Sequence, residues 1–148
     1  MHSYMGLVFQ QADYGSPLYE QSKHLRNDVL CIPLGLTLGE DDVADDLNRM
    51  HFVALDGDKV VGTVSMRPLS ADTVKLRQMA VVDGLQGQGV GQQLVAYAEE
   101  MMRELDFTTI VMDARCVAVP FYEKLGYAAH GDVFIDVLVE HIAMKKAL

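Results

Sequence analysis

The chain is poor in several residue types, and each shortage closes off a class of function. It has no tryptophan and only two cysteines in 148 residues. Cys31 and Cys116 stand far apart, without Cys-x-x-Cys spacing and with no clustered histidines beside them. Free thiols in a reducing, cytoplasmic setting are the expectation, rather than a disulfide framework or a redox pair. The five histidines, His2, His24, His51, His130 and His141, show no ligand spacing, so no metal is expected. Basic residues are also scarce, with 12 Lys and Arg against 21 Asp and Glu, a net charge of −9. Nucleic-acid binding needs clustered cations that release counterions, so no nucleic-acid partner is expected. No apolar run reaches the ~18 residues that a membrane span requires. The start Met1-His2-Ser3-Tyr4-Met5 lacks the basic-then-apolar pattern of a secretory signal.

What remains is an ordinary globular composition, half of it apolar, with enough chain for one core. No repeat, low-complexity tract or linker interrupts it, so residues 1–148 read as a single domain. Met5 to Gln10 is a short apolar stretch that reads as a first strand. Leu18, Leu25 and Val29 share one helical face, which predicts a helix over about Ser16 to Leu30, ended by Pro33, Gly35 and Gly39. The acidic segment Glu40 to Asn48 has room for one short helix with a solvated face. His51 to Leu55, the turn Asp56-Gly57-Asp58, and Lys59 to Arg67 form a hairpin pattern. Gly62 inside it signals a bulge or a close backbone approach. Thr73 to Val82 predicts a third strand, with Val74, Leu76, Gln78 and Ala80 on one face.

A glycine-rich turn follows, and then a helix whose apolar stripe is Val90, Leu94, Ala98, Met101 and Leu105. Glu99 falls in its polar complement. Thr108 to Met112 is a further strand, and Val117 to Leu125 a short helix with Gly126 as its left-handed cap. Tyr127 to Lys146 reads as two strands around Gly131-Asp132. Strands and helices in this order give an α/β (α+β) class with a mixed, mostly antiparallel central sheet flanked by helices.

The strongest chemical signal is strand, Gly-rich turn, helix: Gln78-Met79-Ala80-Val81, then Gln86-Gly87-Gln88-Gly89-Val90-Gly91. Unbonded N–H groups at a helix start, aided by the helix dipole, make an anion site, and glycines let phosphates reach the backbone. The spacing is neither the G-x-G-x-x-G of a dinucleotide fold nor a P-loop, since no Gly-Lys-Ser/Thr follows.

Gln86 to Gly91 resembles the Q/R-x-x-G-x-G/A motif of the GNAT N-acetyltransferase superfamily. Pro120-Phe121-Tyr122-Glu123-Lys124-Leu125-Gly126-Tyr127 is similar to that family's F-Y-E-K-L-G-F segment, and the intervals fit. The resemblance runs from about Phe52 to the C-terminus. Leu25 to Leu30 and Glu140 to Lys145 look like an uncharacterised-type subgroup.

The resemblance implies transfer of an acetyl group from acetyl-CoA to a primary amine on a small molecule or peptide. It implies that the backbone of Met79, Ala80 and Val81 pairs with the cofactor arm, and that Gln86, Gly87, Gln88, Gly89, Val90 and Gly91 cradle its pyrophosphate. Arg115 and Lys124 are further cofactor contacts on the same footing, Arg115 replacing a frequent asparagine. Tyr122 is the implied proton donor, since a phenol near pKa ~10 stays protonated beside a leaving thiolate whose parent thiol is near ~8.5. The amine must also lose a proton, for which Glu140, His141, Glu40 and Asp42 are the candidates. The rival expectation is a non-catalytic acyl-CoA-binding or sensing module. Exposed terminal strands also allow a homodimer.

Overall fold

Alternating apolar residues along successive segments build a seven-stranded sheet in the computed structural model, which describes residues 6–148. The strands are β1 (Val8–Ala12), β2 (Met50–Asp56), β3 (Lys59–Pro68), β4 (Thr73–Val81), β5 (Thr109–Arg115), β6 (Ala128–Asp136) and β7 (Val139–Ala147). Their order is β1-β2-β3-β4-β5-β7-β6. β4 and β5 run parallel, and every other neighbouring pair is antiparallel. The expected mixed sheet with flanking helices is therefore the observed one. Met5, which the sequence reading placed in the first strand, lies outside the described residues, and that strand runs on to Ala12.

Both faces of the central strands are covered, while the edge strand β6 is exposed along its length. Phe52 and Ala54 of β2 enter the larger core beneath α3 (Val90–Glu104), while Val53 and Leu55 meet Leu25 of α1 (Pro17–Arg26) on the other face. α3 docks through Val90, Leu94, Val95, Ala98 and Met102. Each Val, Leu or Met among them contributes about 1.5–3 kcal/mol on full burial. Gly62 lets α3 approach: a Cβ there would meet Leu94 at 3.3 Å and Val90 at 3.5 Å. The β2–β3 register slips beside it, between Ala54 and Leu55, so Gly62 marks both a bulge and a close approach.

Several expectations need correction. The first helix ends at Arg26 and widens into a π turn, Asn27–Cys31, followed by a 3-10 turn, Ile32–Leu34. The stripe on α3 follows i+4 steps to Met102, leaving Leu105 exposed beyond the helix end. Glu99 is buried rather than solvated: it accepts the Tyr127 hydroxyl at 2.8 Å and Lys146 Nζ at 3.1 Å. The final hairpin turns at Val137-Leu138, not at Gly131-Asp132. Pairing of β7 along all of β5 sets where β7 begins, so the reversal falls on two residues at φ +48° and +67°. Gly131 sits instead where the β6–β7 register slips. In β4 the alternation breaks at Gln78, whose φ is +54°. Val74, Leu76 and Val81 therefore share the larger core, and Ala80 faces the smaller one.

The acidic segment forms α2 (Glu40–Val43) and a 3-10 turn, Asp46–Asn48, and it is not uniformly solvated. Asp46 is fully buried. Its carboxylate accepts Tyr19 Oη at 2.6 Å and Arg26 Nη1 at 2.7 Å, with Arg49 Nη1 at 3.4 Å. Its carbonyl lies 2.8 Å from His51 Nε2, which must therefore be the donor. Removing one partner of a buried ion pair strands the other in low dielectric. Asp46→Ala should therefore cost about 3–5 kcal/mol by urea denaturation. Exposed Asp41→Ala should stay within about 0.5 kcal/mol, and equal effects of the two would contradict this reading.

Candidate active site

The site begins where the sheet opens. β4 and β5 pair only at Thr73, Val74 and Lys75 with Thr109, Ile110 and Val111. Beyond that the strands diverge, because the Gln78 bulge redirects β4. The Val82 N–H bonds the Val61 carbonyl at 2.9 Å. Strand alternation then turns the N–H and C=O of Val81 away from β3, into the gap, and Met79 follows the same parity. The Val81 carbonyl accepts the Gln86 side-chain amide at 3.0 Å. Gln86 thus ties the start of the cradle to the strand end, a role that no sequence pattern announces.

The Gly-rich turn is as its composition predicts. Gly87 and Gly89 take φ of +77° and +91°, and Gly89 is the N-cap of α3. The N–H groups of Gly87, Gly89, Val90, Gly91 and Gln92 find no backbone acceptor among the described residues. Gly87, Gly89, Gly91 and Gln92 border a cavity of about 580 Å³ that is also lined by Met79, Ala80, Val81, Gln86, Phe121, Tyr122 and Lys124. Gly91 keeps it open: a Cβ there would lie 3.0 Å from Met79 Cε and 3.3 Å from Phe121 Cζ. Two members of the motif turn elsewhere. Val90 is buried in the core, and Gln88 Nε2 reaches the Gly84 carbonyl at 3.3 Å.

A second cavity, about 430 Å³, lies on the α1 side of the gap. Met79, Ala118 and Tyr122 line both cavities, so the two meet at Tyr122. Leu30 and Cys31 from the π turn form part of this wall. Arg115, expected along the cofactor arm, lines this second cavity and donates Nη2 to the Leu30 carbonyl at 3.1 Å. The four base candidates separate here. Asp42 and His141 line the cavity, whereas Glu40 and Glu140 are exposed and not part of its wall. His141 is buried, and its Nδ1 lies 2.8 Å from the Val139 carbonyl. A carbonyl only accepts, so Nδ1 carries the proton and a neutral ring keeps its lone pair on Nε2.

Tyr122 comes from α4 (Val119–Lys124), started by Pro120 and closed by Gly126 at φ +97°. Its ring packs edge-on to Phe121 and Tyr127, at 5.0 and 5.7 Å. Burial alone pushes its phenol above the ordinary tyrosine value. The hydroxyl stays a donor, and no described residue engages it in a hydrogen bond. Burial, then the Asp42 charge, also pushes the Cys31 thiol up.

Residues 40–148, well over half of the chain, match the family model described as "Acetyltransferase (GNAT) domain". The chain belongs to the GNAT acetyltransferase family. Among its relatives is the uncharacterized protein YyaT of Bacillus subtilis, 28% identical over 111 residues, which are 74% of either chain. The GNAT fold is matched by Escherichia coli ElaA at a TM-score of 0.82, with 20% identity over 95% of this chain and 99% of that one. It is matched too by a GNAT family acetyltransferase from Elizabethkingia anophelis with acetyl-CoA bound, at 0.75, with 15% identity over 97% and 99%.

Gly91→Val is the sharpest probe of the GNAT cradle. It should force Met79 and Phe121 into the first cavity and weaken acetyl-CoA binding at least about tenfold by calorimetry, in a protein that still folds. Unchanged affinity would show that this groove is not where acetyl-CoA sits.

Proposed function

We propose that this GNAT protein moves the acetyl group of acetyl-CoA to a primary amine by direct attack, without an acyl-enzyme. The carrying observation is that two cavities, one glycine-walled and bordered by N–H groups without a backbone acceptor, meet at a buried tyrosine whose hydroxyl has no partner among the described residues. The cradle fits the cofactor on its own geometry: backbone donors face a groove that a single Cβ at Gly91 would obstruct. The N–H groups of Gly87, Gly89, Val90, Gly91 and Gln92 would take the pyrophosphate. Gln86 and Gln88 bring no charge, so backbone and dipole carry this contact, with exposed Lys124 the cation on the wall.

Acetyl-CoA supplies the acetyl group already activated as a thioester. The chain's own groups supply the rest. The Val81 N–H points into the gap, where it can stabilise negative charge growing on the acetyl oxygen. As the new C–N bond forms and the C–S bond breaks, the amine sheds a proton and the sulfur gains one. Tyr122 can donate to the sulfur, since burial keeps its phenol protonated. His141 Nε2, with Nδ1 already committed to Val139, is suited to take the amine's proton. Relatives with acetyl-CoA or coenzyme A bound in the same fold support the cofactor assignment.

A panel of primary amines, monitored for free CoA release, tests the reading. Tyr122→Phe should lower kcat by about a hundredfold while leaving acetyl-CoA affinity within about twofold. The wild-type rate should show no tyrosine titration below pH about 10, because a raised pKa keeps the phenol neutral there. His141→Ala should also lose about a hundredfold, partly restored by added imidazole. Acetyl-CoA binding without acetylation of any amine would favour the sensing module.

A further inference from the structure

The acceptor cavity is unusual for so acidic a chain: its sheet wall holds two arginines with no carboxylate partner among the described residues. In β4, Val74 and Leu76 enter the larger core, so Lys75 and Arg77 leave the sheet on the α1 face. In β5, Ile110, Met112 and Ala114 are buried on the α3 side, so Asp113 and Arg115 share the face of Lys75 and Arg77. All four line the cavity. Lys75 and Asp113 neutralise each other in a 2.8 Å ion pair. Arg115 has one donor on the Leu30 carbonyl and faces no acid within ion-pair distance among the described residues. The Arg77 guanidinium, half-buried, has no hydrogen bond or ion pair to any described residue.

The remaining acids do not reach Arg77. Asp45 and Asp46 bond Arg49, Arg67 and Arg26, and the Asp42 carboxylate is engaged by the Gly39 N–H at 2.7 Å. Burial first, and the nearby Arg77 charge second, hold the Arg49 guanidinium below its ordinary value. Arg77 therefore sits beside another cation, with its donors open to the cavity. A half-buried guanidinium with no counterion, in a chain with 21 acidic residues to choose from, is arranged for an anion brought from outside.

We propose that the acceptor is a primary amine that also carries a carboxylate, an amino-acid-like molecule, with Arg77 as the carboxylate anchor and Arg115 beside it. This rests on the acetyl-transfer reading above. A planar guanidinium accepts a carboxylate in a two-point contact. Asp42 and Asp136 on the same cavity disfavour a dianion such as a phosphate monoester. Across the sheet from Arg115 stands its register partner His141. Anchoring the carboxylate on the arginines leaves the amine free to approach His141 and Tyr122. The cavity, about 430 Å³, suits a molecule of that size.

The test compares amino acids with their decarboxylated amines, matched in side chain, in the CoA-release assay. Carboxylated acceptors should show kcat/KM at least about tenfold higher. Arg77→Gln should raise KM for them on the order of tenfold or more with kcat little changed, and Arg77→Lys should restore part of the loss. Calorimetry gives a second readout: binding of the carboxylated amine should weaken on the order of tenfold or more in Arg77→Gln, while acetyl-CoA binding and the melting temperature hold. Equal use of the decarboxylated amines, preference for a phosphorylated amine, or an unchanged KM in Arg77→Gln would overturn the carboxylate assignment and leave acetyl transfer standing. Failure to acetylate any amine would overturn the acetyl-transfer reading and this assignment with it.

Discussion

Gln78 adopts a left-handed conformation in the middle of β4, and the Arg49 guanidinium donates to its side-chain oxygen at 3.3 Å. A non-glycine residue at positive φ costs about 1–3 kcal/mol, so surrounding structure must enforce it. The return is positional. The bulge lets β4 leave β5 after three paired residues, turns Val81 toward the gap, and exchanges which face Ala80 and Val81 present. Without it the parallel ladder would continue and no space would exist between the strands. Both cavities, and their meeting point at Tyr122, depend on that interruption.

The bulge is connected to the far side of the molecule by charge. Arg49 bridges Gln78 to Asp46, and Asp46 gathers Tyr19 and Arg26 from α1. The same network that fixes α1 over the sheet thus also reaches the residue that opens it. Leu30 and Cys31, at the π turn just beyond Arg26, then fall onto the acceptor wall. A widened helical turn next to a cavity is a common way to aim side chains that a regular helix would turn aside.

Much of this was legible in the sequence, and the misses share a cause. The hairpin around Gly57, the Gly-rich turn, the helix after it and the cap at Gly126 come from local chemistry, and each is present. The errors lie where tertiary contacts override local preference. Glu99 and Asp46 look solvent-facing because a buried acid is recognisable only by partners 28 and 20 residues away in sequence, Tyr127 and Arg26. The turn at Val137-Leu138 has no turn residues, since pairing with β5 sets its place. The bulge at Gln78 carries no glycine to mark it. Of the site, Tyr122 and the glycines could be named from their motifs. The candidate base could not be singled out until the cavity separated His141 and Asp42 from Glu140 and Glu40. The place of Arg115 needed the parity of β5, and the isolation of Arg77 needed the full pattern of ion pairs.

The central claim is that the opening between β4 and β5 receives the acetyl-CoA arm and aims its thioester at Tyr122. A crystal structure with acetyl-CoA tests it most directly. The account predicts the thioester oxygen within hydrogen-bond distance of the Val81 N–H, the sulfur facing the Tyr122 hydroxyl, and the pyrophosphate against the amides from Gly87 to Gln92. Acetyl-CoA bound elsewhere, or a thioester turned away from Val81 and Tyr122, would contradict it.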